Sequence, residues 1–126
     1  MELSIYFKSV VDADNAPIVI CNINHEIIYM NPAAISRYQK RGGSELLGKS
    51  LMYCHNNDSN EKIFRVIKYF SDNADVNRVF TFHNSKENKD VYMIALRDHD
   101  GSLIGYYEKH ESRTLEATVP YADLNN

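Results

Sequence analysis

Cys54 and His55, side by side in the middle of the chain, bring a thiol and an imidazole together. A thiolate can attack an electrophile or bind a soft metal, and a neutral imidazole can accept a proton or ligate iron. Their adjacency argues against a nucleophile–base pair, because neighbouring side chains diverge from the backbone and the base must reach the nucleophile. The other histidines are scattered, and no spacing among the His and Cys residues matches a zinc site. His25 lies between two short apolar runs and reads as a turn residue that tolerates left-handed backbone angles, in preference to a ligand. His99 reads as an exposed turn residue and His110 as a solvated residue at a strand end. Cys21 reads as a small core residue. The chain has no glycine-rich phosphate loop, no G-x-S-x-G and no histidine-kinase segment, so enzyme activity is not expected.

The elements that must position these residues follow from local pattern. Leu3, Phe7, Val10 and Val11 have helical spacing, so residues 1–13 are expected to hold a short amphipathic helix, which Pro17 cannot continue. Ile18–Cys21 and Ile27–Met30 read as strands joined by a tight hairpin. Asn31 is placed to cap a helix with Pro32 at its first position, running to about Arg41 before Gly42 and Gly43. Ser44 is placed to cap a short turn that ends at Gly48. Asp58 or Ser59 is expected to cap a longer helix with Glu61 completing the arrangement, and Ile63, Ile67 and Phe70 form its buried stripe. Three strands follow, Val79–Phe82, Val91–Leu96 and Leu103–Tyr107 with an extension towards His110. The Asp98–Gly101 turn joins the last two. Residues 113–126 read as a tail or linker.

Composition narrows the function classes. The chain has 126 residues, enough for one domain with its own core, with 44% hydrophobic and 25% charged residues. A net charge of −3 and the lack of a basic stripe give no electrostatic case for nucleic acid. No apolar run is long enough for a membrane span, and the N-terminus lacks the pattern of a secretory signal. Two cysteines do not make a disulfide scaffold, and both are expected as free thiols in a reducing cytoplasm.

The order helix, two strands, several short helices, three strands resembles the PAS fold over residues 14–112. Three segments carry the resemblance: Pro17 through Asn31-Pro32-Ala33-Ala34, then Glu45-Leu46-Leu47-Gly48-Lys49-Ser50-Leu51, then Arg97 through the Asp98-His99-Asp100-Gly101 turn to Gly105. His25 departs from the glycine that many members carry in the first hairpin. The segment Gly48–Ser59 is similar to a PAS subgroup with C-H-x-x-x-S before the long helix. The resemblance implies an α+β domain: a five-stranded antiparallel sheet with helices inserted between strands two and three, preceded here by an N-terminal helix.

It also implies a sensory role, with a small ligand held between the sheet and the helices. The candidate pocket residues are Leu51, Met52, Cys54, His55, Ile67, Phe80, Ile94 and Tyr106. The Asn-Cys-Arg-Phe-Leu-Gln motif of the flavin photosensors is absent, which argues against a covalent flavin. Haem-binding members place their axial histidine on the long helix. Residues 60–72 contain none, which leaves His55 as the one candidate for a haem sensor. Nine tyrosines are present, and of Tyr106 and Tyr107 one should face the helices and the other outward. An outward tyrosine together with the N-terminal helix suits a homodimer surface. The alternative is a PAS module without ligand, whose work is dimerisation or docking. An output function would then lie on a partner protein or on further sequence.

Overall fold

The computed structural model describes residues 1–54 and 56–125, Cys54 by its backbone alone. Helix α1 (Ser4–Ala13) leads into strands β1 (Val19–Asn22) and β2 (Ile27–Met30). Helix α2 (Pro32–Arg37) follows, then three 3-10 turns at Gln39–Arg41, Gly43–Leu46 and Leu51–Cys54. The long helix α3 (Asn57–Asp72) precedes β3 (Arg78–Asn84), β4 (Lys89–Arg97) and β5 (Leu103–Ser112). A last 3-10 turn covers Ala122–Asn125. All strand pairs are antiparallel, in the spatial order β2-β1-β5-β4-β3. The central strand is thus the last one, β5, which zips the N-terminal hairpin to the C-terminal meander.

Helices α2 and α3, with the 3-10 turns between them, pack on one face of this sheet. Cys21, Ile27, Met30, Met93, Ala95 and Tyr106 point into the layer between sheet and helices, where they meet Ala34, Leu46, Ile63 and Phe70. The α3 stripe is formed by Ile63 and Phe70, both buried, with Ile67 packed against the same core. Asn56 caps α3, its Oδ1 accepting from the Ser59 N–H at 2.8 Å, where Asp58 or Ser59 was expected. A cap must stand outside the helix with extended backbone, and Asp58 and Ser59 already lie in its first turn. At the other end of α3, Arg97 donates to the Phe70 and Val76 carbonyls at 2.8 and 3.0 Å and to Asn77 Oδ1 at 2.7 Å. That guanidinium satisfies carbonyls that the helix end leaves open.

Asn31 does more than cap α2. It is fully buried, and its Oδ1 accepts from both the Ala34 and the Ile18 N–H at 2.9 Å. Its Nδ2 donates to the carbonyls of Val11 and Ala16, each at 3.0 Å. One amide therefore ties α1, the linker, β1 and α2 together. Helix α2 ends at Arg37 rather than near Arg41: Tyr38 leaves helical geometry, and the chain tightens into the 3-10 turn Gln39–Arg41 before Gly42 at φ 123°.

Helix α1 has no buried residue. It lies over the outer face of the first hairpin, with Phe7, Lys8 and Val11 bordering a groove against Ile20 and Tyr29. The Tyr29 hydroxyl donates to Asp12, and Lys8 pairs with Asp12 at 2.7 Å. Ile5 is 67% and Val10 71% exposed. The rest of the outer face carries Phe80, Tyr92, Ile94, Ile104 and Tyr107, crossed by ionic contacts of Arg78 and Arg113 with Glu111. No helix among the described residues is long and apolar enough to cross a membrane.

Candidate functional site

A cavity of about 290 Å³ lies between the inner face of β1, β2 and β5 and the turns that follow α2. Its apolar wall is made by Val19, Cys21, Ile27, Met30, Leu46 and Leu51. Its polar groups are Tyr38, Arg41, Tyr106, Tyr107, Glu108 and His110. Alternation along β5 explains three of these: Tyr106, Glu108 and His110 are two residues apart and share one face. Leu51 reaches the cavity because the segment before it hugs the edge of β2. Ile27 N–H donates to the Lys49 carbonyl at 2.9 Å, Gly48 N–H to Ile27 at 2.8 Å, and Leu51 N–H to His25 at 2.8 Å.

Tyr106 forms the floor. It is 1% exposed, and its hydroxyl lies 2.7 Å from His25 Nδ1. The His25 ring also meets the edges of Phe64 and Tyr106 at centroid distances of 5.1 and 5.6 Å. Burial pushes the Tyr106 hydroxyl strongly up, reinforced by Cys21, so it stays protonated and acts as a hydrogen-bonding group. His25 has φ 65°, the left-handed angle expected for the hairpin turn, and its ring reaches inward as well. Burial lowers its pKa.

His110, expected as a solvated strand-end residue, is instead a cavity wall residue with a side chain only 13% exposed. The turn between β3 and β4 accounts for this. Glu87 from that turn grips Arg37 of α2 through two bonds of 3.0 Å, closing the layer beside His110. Burial pushes the His110 imidazole down, and the cations Arg37 and Lys89 add to the effect, against a smaller opposing pull from Glu87. At the same end, burial raises the Tyr38 hydroxyl, Glu108 raises it further, and Arg37 and Arg41 oppose.

The sequence candidates are thus distributed over three places. Leu51 and Tyr106 line the cavity. Met52 and Ile67 pack against the core without bordering it. Phe80 and Ile94 do not join them. Ile94 sits between the inward-facing Met93 and Ala95 and therefore points to the outer face, and Phe80 packs on Tyr92 with ring centroids 5.4 Å apart. The outer face holds them because Val79, not Phe80, pairs with Met93 on the inner side. The Cys54 side chain and His55 lie outside the described residues. Among the described residues, no group of three or more His, Cys, Asp or Glu is arranged to hold a metal ion. Arg41, Glu108 and His110 were missed as cavity residues. The alternation from Tyr106 through Glu108 to His110 was a signal that could have found two of them.

A five-stranded antiparallel sheet in this order, with helices inserted after the second strand and a cavity on its inner face, defines the PAS class of domain. The family model described as PAS domain matches residues 15–108, and the chain belongs to that family. Solved structures agree in fold. The PAS domain of a protein from Colwellia psychrerythraea is 12% identical, with a TM-score of 0.64, and the match covers 90% of this chain and 98% of that one. The PAS domain of BvgS from Bordetella pertussis is 18% identical with a TM-score of 0.59, covering 90% and 88%. The Aer2 receptor of Vibrio cholerae, described as a dual PAS-heme oxygen sensor, is 19% identical with a TM-score of 0.54, covering 78% and 94%. No curated protein matches the chain.

Proposed function

We propose that this PAS domain is a sensory module that takes a small molecule into the cavity bounded by Cys21, Met30, Leu51 and Tyr106 and relays its presence through the sheet. PAS domains are typically sensory modules rather than enzymes, and the similar Aer2 receptor, described as an oxygen sensor, fits that pattern. The observation that carries the reading is the alternation of β5. Tyr106, Glu108 and His110 border the cavity, and Tyr107 between them borders it as well while standing opposite the outward-facing Ile94 of β4. A ligand that displaces one side chain of β5 shifts the neighbour on the other face, and it biases the equilibrium only as far as it binds one arrangement better.

The outer face and α1 then serve as the partner surface, occupied by a second copy of this chain. Ile5, Phe7 and Val10 on α1, with Leu3 just before it and Phe80 and Ile104 on the sheet, are exposed apolar groups of the kind that a dimer covers. The same exposed surface favours the second reading, a dimerisation module with no ligand. The haem reading rests on His55, which lies outside the described residues.

Native mass spectrometry with an absorption spectrum of the purified protein tests both readings. Extra mass bound per chain supports the sensor. A dimer with no added mass, unchanged after exposure to a small-molecule library, supports the ligand-free module. A monomer at all concentrations overturns the dimer in either reading.

A further inference from the structure

The charged groups around the cavity are engaged with the protein itself. Arg41 and Glu108 each hold an interaction within the fold, and Glu108 Oε2 also stands 3.8 Å from His110 Nε2. The fork of Arg37 is filled by both oxygens of Glu87. Burial pushes the His110 imidazole towards its neutral form, and it raises the Tyr38 and Tyr106 hydroxyls so that both stay protonated. The Tyr106 hydroxyl is taken by His25. What the cavity turns towards a ligand is therefore mostly hydrocarbon, from Val19, Ile27, Met30, Leu46 and Leu51. Tyr38 and His110, both within the influence of Arg37, add neutral hydrogen-bonding groups at one end.

We propose that the cavity takes an uncharged, mainly apolar molecule with a single hydroxyl or carbonyl, the class of the medium-chain alcohols and ketones, its tail among Val19, Ile27, Met30 and Leu51 and its oxygen towards Tyr38 and His110. The assignment rests on the cavity being a ligand site, as proposed above. A carboxylate or an ammonium leaves its hydration behind on entry, and a buried ion needs a partner to offset that loss. A carboxylate would have to draw Arg41 from its present contact, with Glu108 repelling it. An ammonium would have to draw Glu108 away, with Arg41 repelling it. A zwitterion would disturb both. An alcohol or ketone needs no counter-charge. Its tail gains from apolar burial, and its one oxygen can pair with a phenol or an imidazole. The volume of about 290 Å³ lies at the lower edge of the usual range for ligand pockets, about 300–1,000 Å³, which suits a short tail.

Isothermal titration calorimetry of the full chain with hexan-1-ol, hexanoate, hexylamine and norleucine tests this. The four share one unbranched carbon skeleton and differ in charge. The expected result is hexanol binding about tenfold or more tighter than each charged analogue, with amide chemical-shift changes at Ile27, Leu51 and Tyr106 in the NMR spectrum. Glu108→Gln removes the charge that repels a carboxylate and should narrow the gap between hexanol and hexanoate. Hexanoate, hexylamine or norleucine binding the unsubstituted chain as tightly as hexanol would overturn the uncharged class and leave the cavity as a ligand site. Shift changes gathered instead at Ile20 and Tyr29, beside α1, would overturn the placement. No binding by any of the four would overturn the proposal too. The ligand-site reading would then stand if native mass spectrometry finds another small molecule retained, and fall with it if none is found.

Discussion

His25 and Tyr106, 81 residues apart, join the first hairpin turn to the central strand through a 2.7 Å contact between imidazole Nδ1 and phenol hydroxyl. The contact holds the floor of the cavity at a fixed height, because the turn carrying His25 also receives the Leu51 N–H through its backbone carbonyl. Tyr106→Phe keeps the ring and removes the hydroxyl, leaving Nδ1 in a half-buried place without that partner. The expected cost is about 1 kcal/mol, seen as a fall in melting temperature of about 4 °C. An unchanged melting temperature would show that water replaces the hydroxyl without loss.

Asn31 separates capping from its wider role. Asn31→Asp keeps the oxygen that accepts from Ala34 and Ile18 but replaces the donor to Val11 and Ala16 with a second acceptor. A residue that only capped α2 would tolerate this change, since Asp and Asn cap about equally well. Here carboxylate oxygen is set against two carbonyls in a buried site, and a loss of about 3 kcal/mol is expected. Urea unfolding of Asn31→Asp measures it.

Gly105 of β5 pairs with Asn22 of the neighbouring strand β1. A Cβ there would lie 2.2 Å from the Cys21 carbonyl oxygen, so Gly105→Ala must push the two strands apart. Overpacking of this kind costs about 1–3 kcal/mol. Because Cys21 also lines the cavity, ligand affinity should fall along with stability. Gly101→Ala is the comparison. It has φ 89° and open space around it, so only backbone strain applies, and thermal unfolding without change in the cavity is the expected difference.

Arg97 clamps the end of α3 through a fork that reaches Phe70, Val76 and Asn77 at once. Lysine keeps the charge but not the geometry. Arg97→Lys is therefore expected to cost about 1.5–3 kcal/mol and to raise hydrogen exchange in the last turn of α3. Equal protection in both proteins would show that the clamp contributes nothing there.

Acid should loosen the fold through His110. Its folded pKa lies below the ordinary 6.5, through burial first and through Arg37 and Lys89 next, while Glu87 pulls the other way. Between the folded value and about 6.5 the unfolded chain binds more protons, so stability rises with pH across that window. Acidification below about 6.5 thus removes stability until the folded value is passed. His25 acts in the same direction through burial. His110→Gln should flatten part of the slope of unfolding free energy against pH just below about 6.5. A slope identical to that of the unsubstituted protein would sink the assignment.

The strands, the first helix and the start of α2 were legible from the sequence because their signals are local. β-branched runs, Asn31 before Pro32, and the Ile63, Ile67 and Phe70 spacing act within a few residues. The α3 cap falls two or three positions before the expected Asp58 or Ser59, since several polar residues in a row can cap and only the backbone angle selects Asn56.

Which face each strand turns inward was a tertiary decision. Alternation separates two faces and leaves their direction open, and pairing with Met93 sends Phe80 and Ile94 outward. The sequence by itself determined the PAS elements, their order and their turns, since these follow from local spacing and backbone preference. The tertiary structure decided the cavity and its chemistry. Only folding brings Arg41 from the turn after α2 to the same wall as Glu108 and His110 of β5, and sets Arg37 of α2 and Glu87 of the β3–β4 turn beside the last of these.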